Sequence, residues 1–248
     1  KGNHNTKNTF SVNATYGIGE VTRYPDMLNV QQHADMTWQS ILNDGNTPTH
    51  PQYGSGPTPS VPVFLNVPIP SGPEYEGAGA KVQPGGTKWF DEVFDPAATT
   101  EVSLSASGGS EQGKYLMSVR YLNQEGVIIH TGFESVSTRL NSEFKIGDKI
   151  TISENLNITY DKEQTTSGNP MQNAAFSSPL VPVRDTNGNF VLDSGGNKIF
   201  DYGVGTDLVN SARPVLSDEN VLGALNYYDN HGNSYNMNTN AYMNYEIT

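Results

Sequence analysis

Apolar and polar side chains alternate at every second position through most of the stretch 101–162. Because successive side chains of a β-strand point to opposite faces, this alternation predicts strands with one apolar and one polar face. Four strands are predicted here, and their apolar positions are Val102, Leu104 and Ala106; Tyr115, Met117, Val119 and Tyr121; Val136, Thr138, Leu140, Phe144 and Ile146; and Ile150, Ile152, Leu156, Ile158 and Tyr160. Similar runs through Phe10–Ile18 and Met237–Ile247 bring the prediction to about six strands.

The period changes between the first and second predicted strands. Val30, Ala34 and Trp38 mark one face of a short helix. Asn29 and Gln32 have the spacing of a capping box at its start, and Asn43-Asp44-Gly45 ends it. The following range, 48–73, holds eight of the 15 prolines and is therefore expected to be irregular loop.

The predicted connections run long, short, medium, short and long along the chain. In an up-and-down sheet, alternate connections lie at the same end, so the short turns at Gly108–Gly113 and Gly147-Asp148 share one end and the long loops share the other. Transmembrane β-barrels sort their connections in this way. We therefore predict an all-β fold of antiparallel up-and-down strands forming part of a large transmembrane β-barrel, with long outer loops and one short helix. Residues 1–248 would be one partial barrel, with long loops at 20–99 and 161–235.

The composition agrees with strands that bury only one face. Hydrophobic residues make up 35% of the 248 residues, the mean hydropathy is −0.53, and there are 25 glycines and 15 prolines. No apolar run is long enough for a transmembrane helix, and the opening Lys1-Gly2-Asn3-His4 has no signal peptide and reads as the start of a fragment. A net charge of −12 argues against nucleic-acid binding, and the absence of cysteine excludes disulfides and thiolate chemistry.

Two features concern a membrane directly. Tyrosines at the predicted strand ends suit interfacial girdles, although ordinary strand aromatics of a soluble sheet would look the same; they are Tyr16, Tyr115, Tyr121, Tyr160 and Tyr245. Glu154 falls on the apolar side of its strand, where a carboxylate at the bilayer midplane would be costly. It is therefore expected either near an interface or beside a bulge that resets the alternation.

Several passages resemble the SusC/RagA class of TonB-dependent outer-membrane transporters. The longest runs from Leu104-Ser-Ala-Ser-Gly-Gly-Ser-Glu-Gln-Gly-Lys-Tyr115 through Val119-Arg-Tyr-Leu-Asn-Gln-Glu-Gly126, followed by Arg139-Leu-Asn-Ser-Glu-Phe144 and Glu154-Asn-Leu-Asn-Ile158. The family's segment before the second strand is similar to Trp89-Phe-Asp-Glu-Val-Phe94. The start of its early helix is similar to Met27-Leu-Asn29, and the end of its plug is similar to Lys1-Gly2. The resemblance is densest over 89–160.

The resemblance implies a barrel of about 22 strands around a plug, located in the Gram-negative outer membrane. It implies import of oligosaccharides or peptides, energised by TonB through a segment that this chain lacks, with a SusD-like surface lipoprotein as partner. About six strands cannot close a barrel, so these residues are expected to be one part of a transporter. The alternative from the residues themselves is a soluble or surface-attached β-sandwich that binds glycans. A third option is a Ca²⁺-stabilised adhesin.

No pattern in the sequence supports catalysis, a cofactor or a metal. Gly108–Lys114 has the spacing of a phosphate-binding loop, but Tyr115 and a strand follow where Ser or Thr and a helix are needed, so a hairpin turn is favoured. The series Asp185, Asn187, Asn189 and Asp193 lacks the glycine and glutamate of a calcium loop, and Asn187-Gly188 reads better as a hairpin turn. The five histidines show no paired metal-binding spacing. The chain is therefore not expected to be an enzyme.

Aromatic residues of the two long loops are the candidate ligand-binding side chains. Aromatic rings stack on sugars, and the candidates are Tyr53, Tyr75, Tyr227, Tyr228 and His231. The competing interpretation, which is favoured, is that these rings pack the loops against one another.

Overall fold

The computed structural model describes residues 6–50, 52–63, 82–181, 183–184, 189, 221–227 and 229–247. The strands are β1 (Thr6–Gly19), β2 (Thr49–His50), β3 (Gly54–Ser55), β4 (Ala97–Gly109), β5 (Gly113–Glu125), β6 (Gly132–Ile146), β7 (Ile150–Thr165) and β8 (Asn230–Tyr245). The helices are α1 (Val30–Asn43), α2 (Trp89–Val93), α3 (Pro170–Phe176) and α4 (Val221–Tyr227). None of the helices in these ranges is long and apolar enough to cross a membrane.

Six strands form one antiparallel sheet in the order β1-β4-β5-β6-β7-β8. The predicted all-β, up-and-down fold is thereby confirmed, and each of the six strands corresponds to one alternating run in the sequence. The two short turns, Ser110–Gln112 and Gly147–Lys149, lie at one end of the sheet, as the connection lengths predict. The long connections span 20–96 and 166–229. The second is shorter than the predicted 161–235 because β7 and β8 stay paired from Asp161–Ser234 to Thr165–Asn230.

The chain divides into two compact units. The sheet unit comprises Lys1–Glu20, Pro96–Thr165 and Asn230–Thr248, and the loop unit comprises Val21–Asp95 and Thr166–Asp229.

The loop unit contains an apolar core. Its buried hydrophobic residues come from α1, α2, α3, α4 and the segments beside them: Val30, Ala34, Trp38, Tyr53, Val82, Trp89, Phe90, Val93, Phe94, Ala174, Leu180, Val181, Val183, Val221, Leu222 and Leu225. Helix α1 has the predicted capping box, because the Asn29 side chain accepts from the Gln32 backbone N–H and the Gln32 side chain accepts from the Asn29 N–H. Helices α2, α3 and α4 are additional to the one helix that periodicity predicts.

Side-chain hydrogen bonds join parts of the loop unit that are distant in sequence. The indole N–H of Trp89 donates to the Ser178 carbonyl at 2.9 Å, and the Thr87 hydroxyl donates to the Val181 carbonyl. The guanidinium of Arg184 pairs with the Glu92 carboxylate, and this contact raises the pKa of Arg184. These bonds join the segment of Thr87, Trp89 and Glu92 to Ser178, Val181 and Arg184.

Candidate functional site: the two faces of the sheet

The continuous register aligns the apolar positions of all six strands on one face, which we call the apolar face. One cross-strand row consists of Val12, Leu104, Val119, Thr138, Ile158 and Met237. The rows on either side consist of Phe10, Ala106, Met117, Leu140, Leu156 and Thr239, and of Ala14, Val102, Tyr121, Val136, Tyr160 and Tyr235. All of these positions except Tyr235 lie in the predicted alternating runs.

The apolar face is not covered by the residues that the structure describes. Phe10 is 77% exposed, Val12 is 70% exposed and Phe144 is 54% exposed. An apolar surface spanning six strands is far larger than the scattered patches of a soluble monomer. In a β-sandwich these same side chains would form the interior between two sheets. The exposure therefore counts against the sandwich alternative.

Four aromatic residues near the short turns form a line that runs obliquely across the apolar face. These residues, which we call the turn-side line, are Phe10 on β1, Tyr115 on β5, Phe144 on β6 and Tyr245 on β8. The residue of β8 that is level with Phe10 is Thr239, and Tyr245 lies six residues closer to the turn end, five strand steps away. At about 3.3 Å per residue and about 4.8 Å per strand, the line slopes by about 40°.

The intermediate members lie on the same slope. Tyr115 is two strands away from β1 and lies two residues closer to the turn end than the level of Phe10. Phe144 is three strands away and lies four residues closer to the turn end. Strands of outer-membrane barrels tilt by about 35–45° to the membrane normal. A line at this slope is therefore parallel to the membrane plane when the sheet is part of such a barrel. This geometry is that of an aromatic girdle.

Glycines on neighbouring strands make room for two members of the turn-side line. A Cβ on Gly113 would meet the Phe144 ring at 2.7 Å, and a Cβ on Gly108 would lie 3.1 Å from the Tyr115 ring. The Tyr115 hydroxyl donates to the Asn8 side-chain oxygen at 3.2 Å, one strand beyond Gly108. The rings thus lie across the adjacent strands, which fixes their height in the sheet.

Glu154 lies on the apolar face without any bulge in its strand. Its partners are Ser142 on β6 and Ala241 on β8, and the register is continuous on both sides. The bulge explanation for Glu154 is therefore wrong. At this register Glu154 lies about three residues from the turn-side line, on the side away from the short turns. For strands tilted by about 40°, this corresponds to about 7 Å along the membrane normal.

The opposite face of the sheet is polar. The Arg120 guanidinium donates two hydrogen bonds to the Glu101 carboxylate at 2.8 and 3.0 Å, and Lys114 lies 3.0 Å from Glu143. The Ser135 hydroxyl donates to Asp161 at 2.6 Å. Barrels that enclose a lumen have this division between an apolar outer face and a polar inner face.

The candidate ligand-binding aromatics do not come together in the described structure. Tyr53 is only 1% exposed, and its hydroxyl oxygen lies 2.6 Å from Nδ1 of His33 while its ring stacks on His50. It therefore packs within the loop unit, in agreement with the favoured interpretation of these rings. His231 lies in β8, paired with Gln164, rather than in a loop. Tyr75, Tyr228 and the Tyr227 side chain lie outside the described residues.

Burial of the Tyr53 cluster changes the protonation of its members. Burial raises the pKa of Tyr53, and burial together with the charge of His50 lowers the pKa of His33. Both shifts favour the neutral forms, as expected for polar groups in an apolar core.

An apolar pocket opens in the loop unit beside this cluster. It is a cavity of about 190 Å³, and His33, Trp89 and Ala174 are among its buried lining residues. Four half-exposed apolar side chains also line it, and we call them the methionine patch: Met27, Leu28, Met36 and Phe176. Clustered methionines that remain exposed are typical of adaptable protein-binding surfaces.

The described residues contain no group of three His, Asp or Glu side chains that could hold a metal. Of the series Asp185, Asn187, Asn189 and Asp193, only Asn189 lies within those residues. The predicted turn at Asn187-Gly188 also lies outside them.

Comparison with known proteins identifies the class to which this sheet is similar. No family model matches the chain. The chain is 24% identical over 157 residues to TonB-dependent receptor P3 of Formosa agariphila, which covers 59% of this chain and 16% of the relative. It is 30% identical over 103 residues to TonB-dependent receptor P26 of the same organism, which covers 41% of this chain and 10% of the relative. The chain thus spans a sixth or less of the length of these relatives.

Solved structures show the same fold. The RagAB peptide importer in its closed-closed state aligns with a TM-score of 0.55 and 21% identity, covering 76% of this chain and 22% of that one. The open-open state of RagAB aligns with a TM-score of 0.56 and 19% identity, covering 78% and 23%. The resemblance to the SusC/RagA class of TonB-dependent transporters is confirmed, and the sheet matches part of such a transporter's barrel.

Proposed function

We propose that this chain is part of an outer-membrane, TonB-dependent importer of oligosaccharides or peptides that works with a SusD-like surface lipoprotein. The observation that carries the proposal is the turn-side line. Its slope of about 40° lies within the range of strand tilts of outer-membrane barrels, whose aromatic residues form girdles parallel to the membrane plane. The strands β1 and β4 to β8 would form one contiguous part of the barrel wall in the Gram-negative outer membrane, and the long connections would be its outer loops.

The apolar height of the strands supports this placement. On β8 the apolar face runs from Tyr235 to Tyr245, a length of ten residues. Ten residues span about 33 Å along a strand, or about 25 Å along the membrane normal at a tilt of about 40°. This is the height of the apolar band of an outer-membrane barrel. On β5 the tyrosines Tyr115 and Tyr121 are only six residues apart, so Tyr121 would lie inside the apolar band, about 15 Å from the turn-side line along the membrane normal.

The methionine patch supports a protein partner. Its four side chains are 41–53% exposed and line a cavity of about 190 Å³. Interfaces between proteins are enriched in methionine and aromatic residues at their centres. A surface lipoprotein of the SusD type is the partner that the resemblance implies, and we assign this patch to it.

The proposal is tested on the complete protein, tagged and extracted from isolated outer membranes. We expect it to fractionate with the outer membrane, to retain a lipoprotein on purification, and to be stabilised thermally by either peptides or oligosaccharides, whichever class it imports. Recovery from the soluble fraction without detergent would contradict the proposal.

A matched pair of variants tests the patch. Met36→Glu places a charge in the patch and is expected to reduce lipoprotein retention at least about tenfold, which corresponds to about 1.4 kcal/mol. Gln39→Glu adds the same charge at another exposed position of α1 and is expected to leave retention unchanged. Equal effects of the two variants would show that the patch is not the docking surface.

A further inference from the structure

Arg139 occupies the centre of the polar face. It is the middle residue of β6, and its cross-strand partners are Ser118 on β5 and Asn157 on β7. The full row consists of Ser11, Ser105, Ser118, Arg139, Asn157 and Asn238. All of the partners of Arg139 in this row are neutral.

The neighbouring rows also offer no negative charge. On one side lie Thr9, Ser107, Leu116, Asn141, Asn155 and Asn240, and on the other Asn13, Ser103, Arg120, Ser137, Thr159 and Asn236. Arg120 is paired with Glu101, Lys114 with Glu143, and Arg184 with Glu92. Among the described residues, the Arg139 guanidinium makes no hydrogen bond or ion pair.

Asparagine amides surround Arg139 on the sides away from β5. Together with Arg139 they line a depression of about 440 Å³. These asparagines are Asn141, Asn155, Asn157, Asn238 and Asn240. An amide side chain both donates and accepts hydrogen bonds, so this surface can pair with a polypeptide backbone as well as with polar side chains. The five donors of one guanidinium lie within it.

We propose that Arg139 and the surrounding asparagines bind a carboxylate side chain, Asp or Glu, of another segment of the same protein that packs on the polar face. This inference rests on the proposed function, which makes the polar face the inner wall of a barrel. The chain covers only 16% of a curated relative and 22% of a solved neighbour, so such proteins have most of their length available to fill the interior. A guanidinium covered by polypeptide without a counter-charge would be strongly unfavourable. A planar, bidentate carboxylate is the group that guanidinium geometry fits best.

The first test measures thermal unfolding of the complete protein in detergent, without ligand. Arg139→Gln is expected to lower the unfolding midpoint, and Arg139→Lys to lower it less because lysine keeps the charge but loses the bidentate fork. Ser137→Ala, two residues away on the same strand and face, is the control and is expected to leave the midpoint unchanged. Raising the salt concentration should narrow the difference between the wild type and Arg139→Gln.

The second test keeps Arg139 intact in case its variants do not fold. A photo-crosslinking amino acid at Ser137 is expected to crosslink to an Asp- or Glu-containing segment of the same polypeptide. Binding of triglutamate and trialanine is measured in parallel on the wild type and Arg139→Gln. Loss of triglutamate binding alone, with an unchanged midpoint and no internal crosslink, would assign the carboxylate to a ligand and overturn the proposal. An unchanged midpoint together with unchanged peptide binding would also overturn it. Either failure would leave the lipid exposure of the apolar face, and hence the proposed function, standing.

Discussion

Depth in the membrane sets the cost of a charge on the apolar face, and β7 provides two positions at different depths. Leu156 is level with Phe10, whereas the turn-side line crosses β7 about five residues closer to the short turns, next to Ile152. Leu156 therefore lies about 12 Å from the line along the membrane normal, near the middle of an apolar band about 25 Å high. Ile152 lies within about 3 Å of the line.

Arginine at these two positions is expected to have different effects. Leu156→Arg should lower the free energy of unfolding by about 2–4 kcal/mol, and Ile152→Arg by about 0–1 kcal/mol, because the penalty falls towards the interface. Leu156→Met is the control for side-chain volume and should cost less than about 1.5 kcal/mol. The assay is urea titration of the complete protein in lipid vesicles, followed by the SDS-resistant folded band. Equal costs for Leu156→Arg and Ile152→Arg would refute the depth assignment, and a negligible cost for both would refute lipid exposure.

Two further predictions concern the loop unit. Gly86 has φ +88° and a Cβ there would lie 2.8 Å from Pro179, whereas Gly85 has φ +80° and open space. Gly86→Ala should therefore lower the unfolding midpoint more than Gly85→Ala, which costs only about 1–2 kcal/mol for holding a non-glycine residue in the left-handed region. Circular dichroism melts of both variants check this, and equal shifts would contradict the Pro179 contact. The lowered pKa of His33 means that the unfolded chain takes up a proton more readily than the folded one, so the stability should be constant above about pH 6.5 and fall below it. The difference between the unfolding midpoints at pH 7.5 and pH 5.5 should be smaller for His33→Phe than for the wild type. An equal difference in the two proteins would show that His33 is not the source of the pH dependence.

Sequence reasoning finds the strands because their physics is local. Alternation marks each strand of the sheet, and a capping box marks α1 at Asn29. The ends of the strands are harder to predict from the sequence. Strand β7 continues through Asp161–Thr165, where both faces are polar, because backbone pairing with β8 needs no apolar side chain. Alternation stops there but the ladder does not.

The loop unit is mostly beyond such reasoning because its contacts are long-range. The bond from Trp89 to Ser178 joins residues 89 positions apart, and the Gln83 side chain reaches the Arg184 carbonyl across 101 positions. No periodicity reports contacts of this kind. Tyr53 illustrates the result, since the sequence offers both a ligand-binding and a packing role for its ring, and only the contacts with His33 and His50 show that it packs.

The candidate site could not be predicted from the strands alone, because it depends on the register in which they pair. Each member of the turn-side line is visible in the sequence, but its slope appears only when Phe10 is paired to Ala106 and the pairing is followed to Tyr245. The same holds for Arg139, whose neutral surroundings are assembled from six separate strands. A shift of one residue in any strand pair would remove both patterns.

Lipid contact of the apolar face is the central claim, and one measurement tests it most directly. The 248 residues contain no cysteine, so single cysteines at Leu104 and Ser105 can carry an environment-sensitive fluorophore in the complete protein, once any cysteine elsewhere in it is replaced. In vesicles containing doxyl-labelled lipid, the label at position 104 should be strongly quenched and the label at position 105 should not. Equal quenching at the two positions, or quenching at 105 alone, would contradict the account.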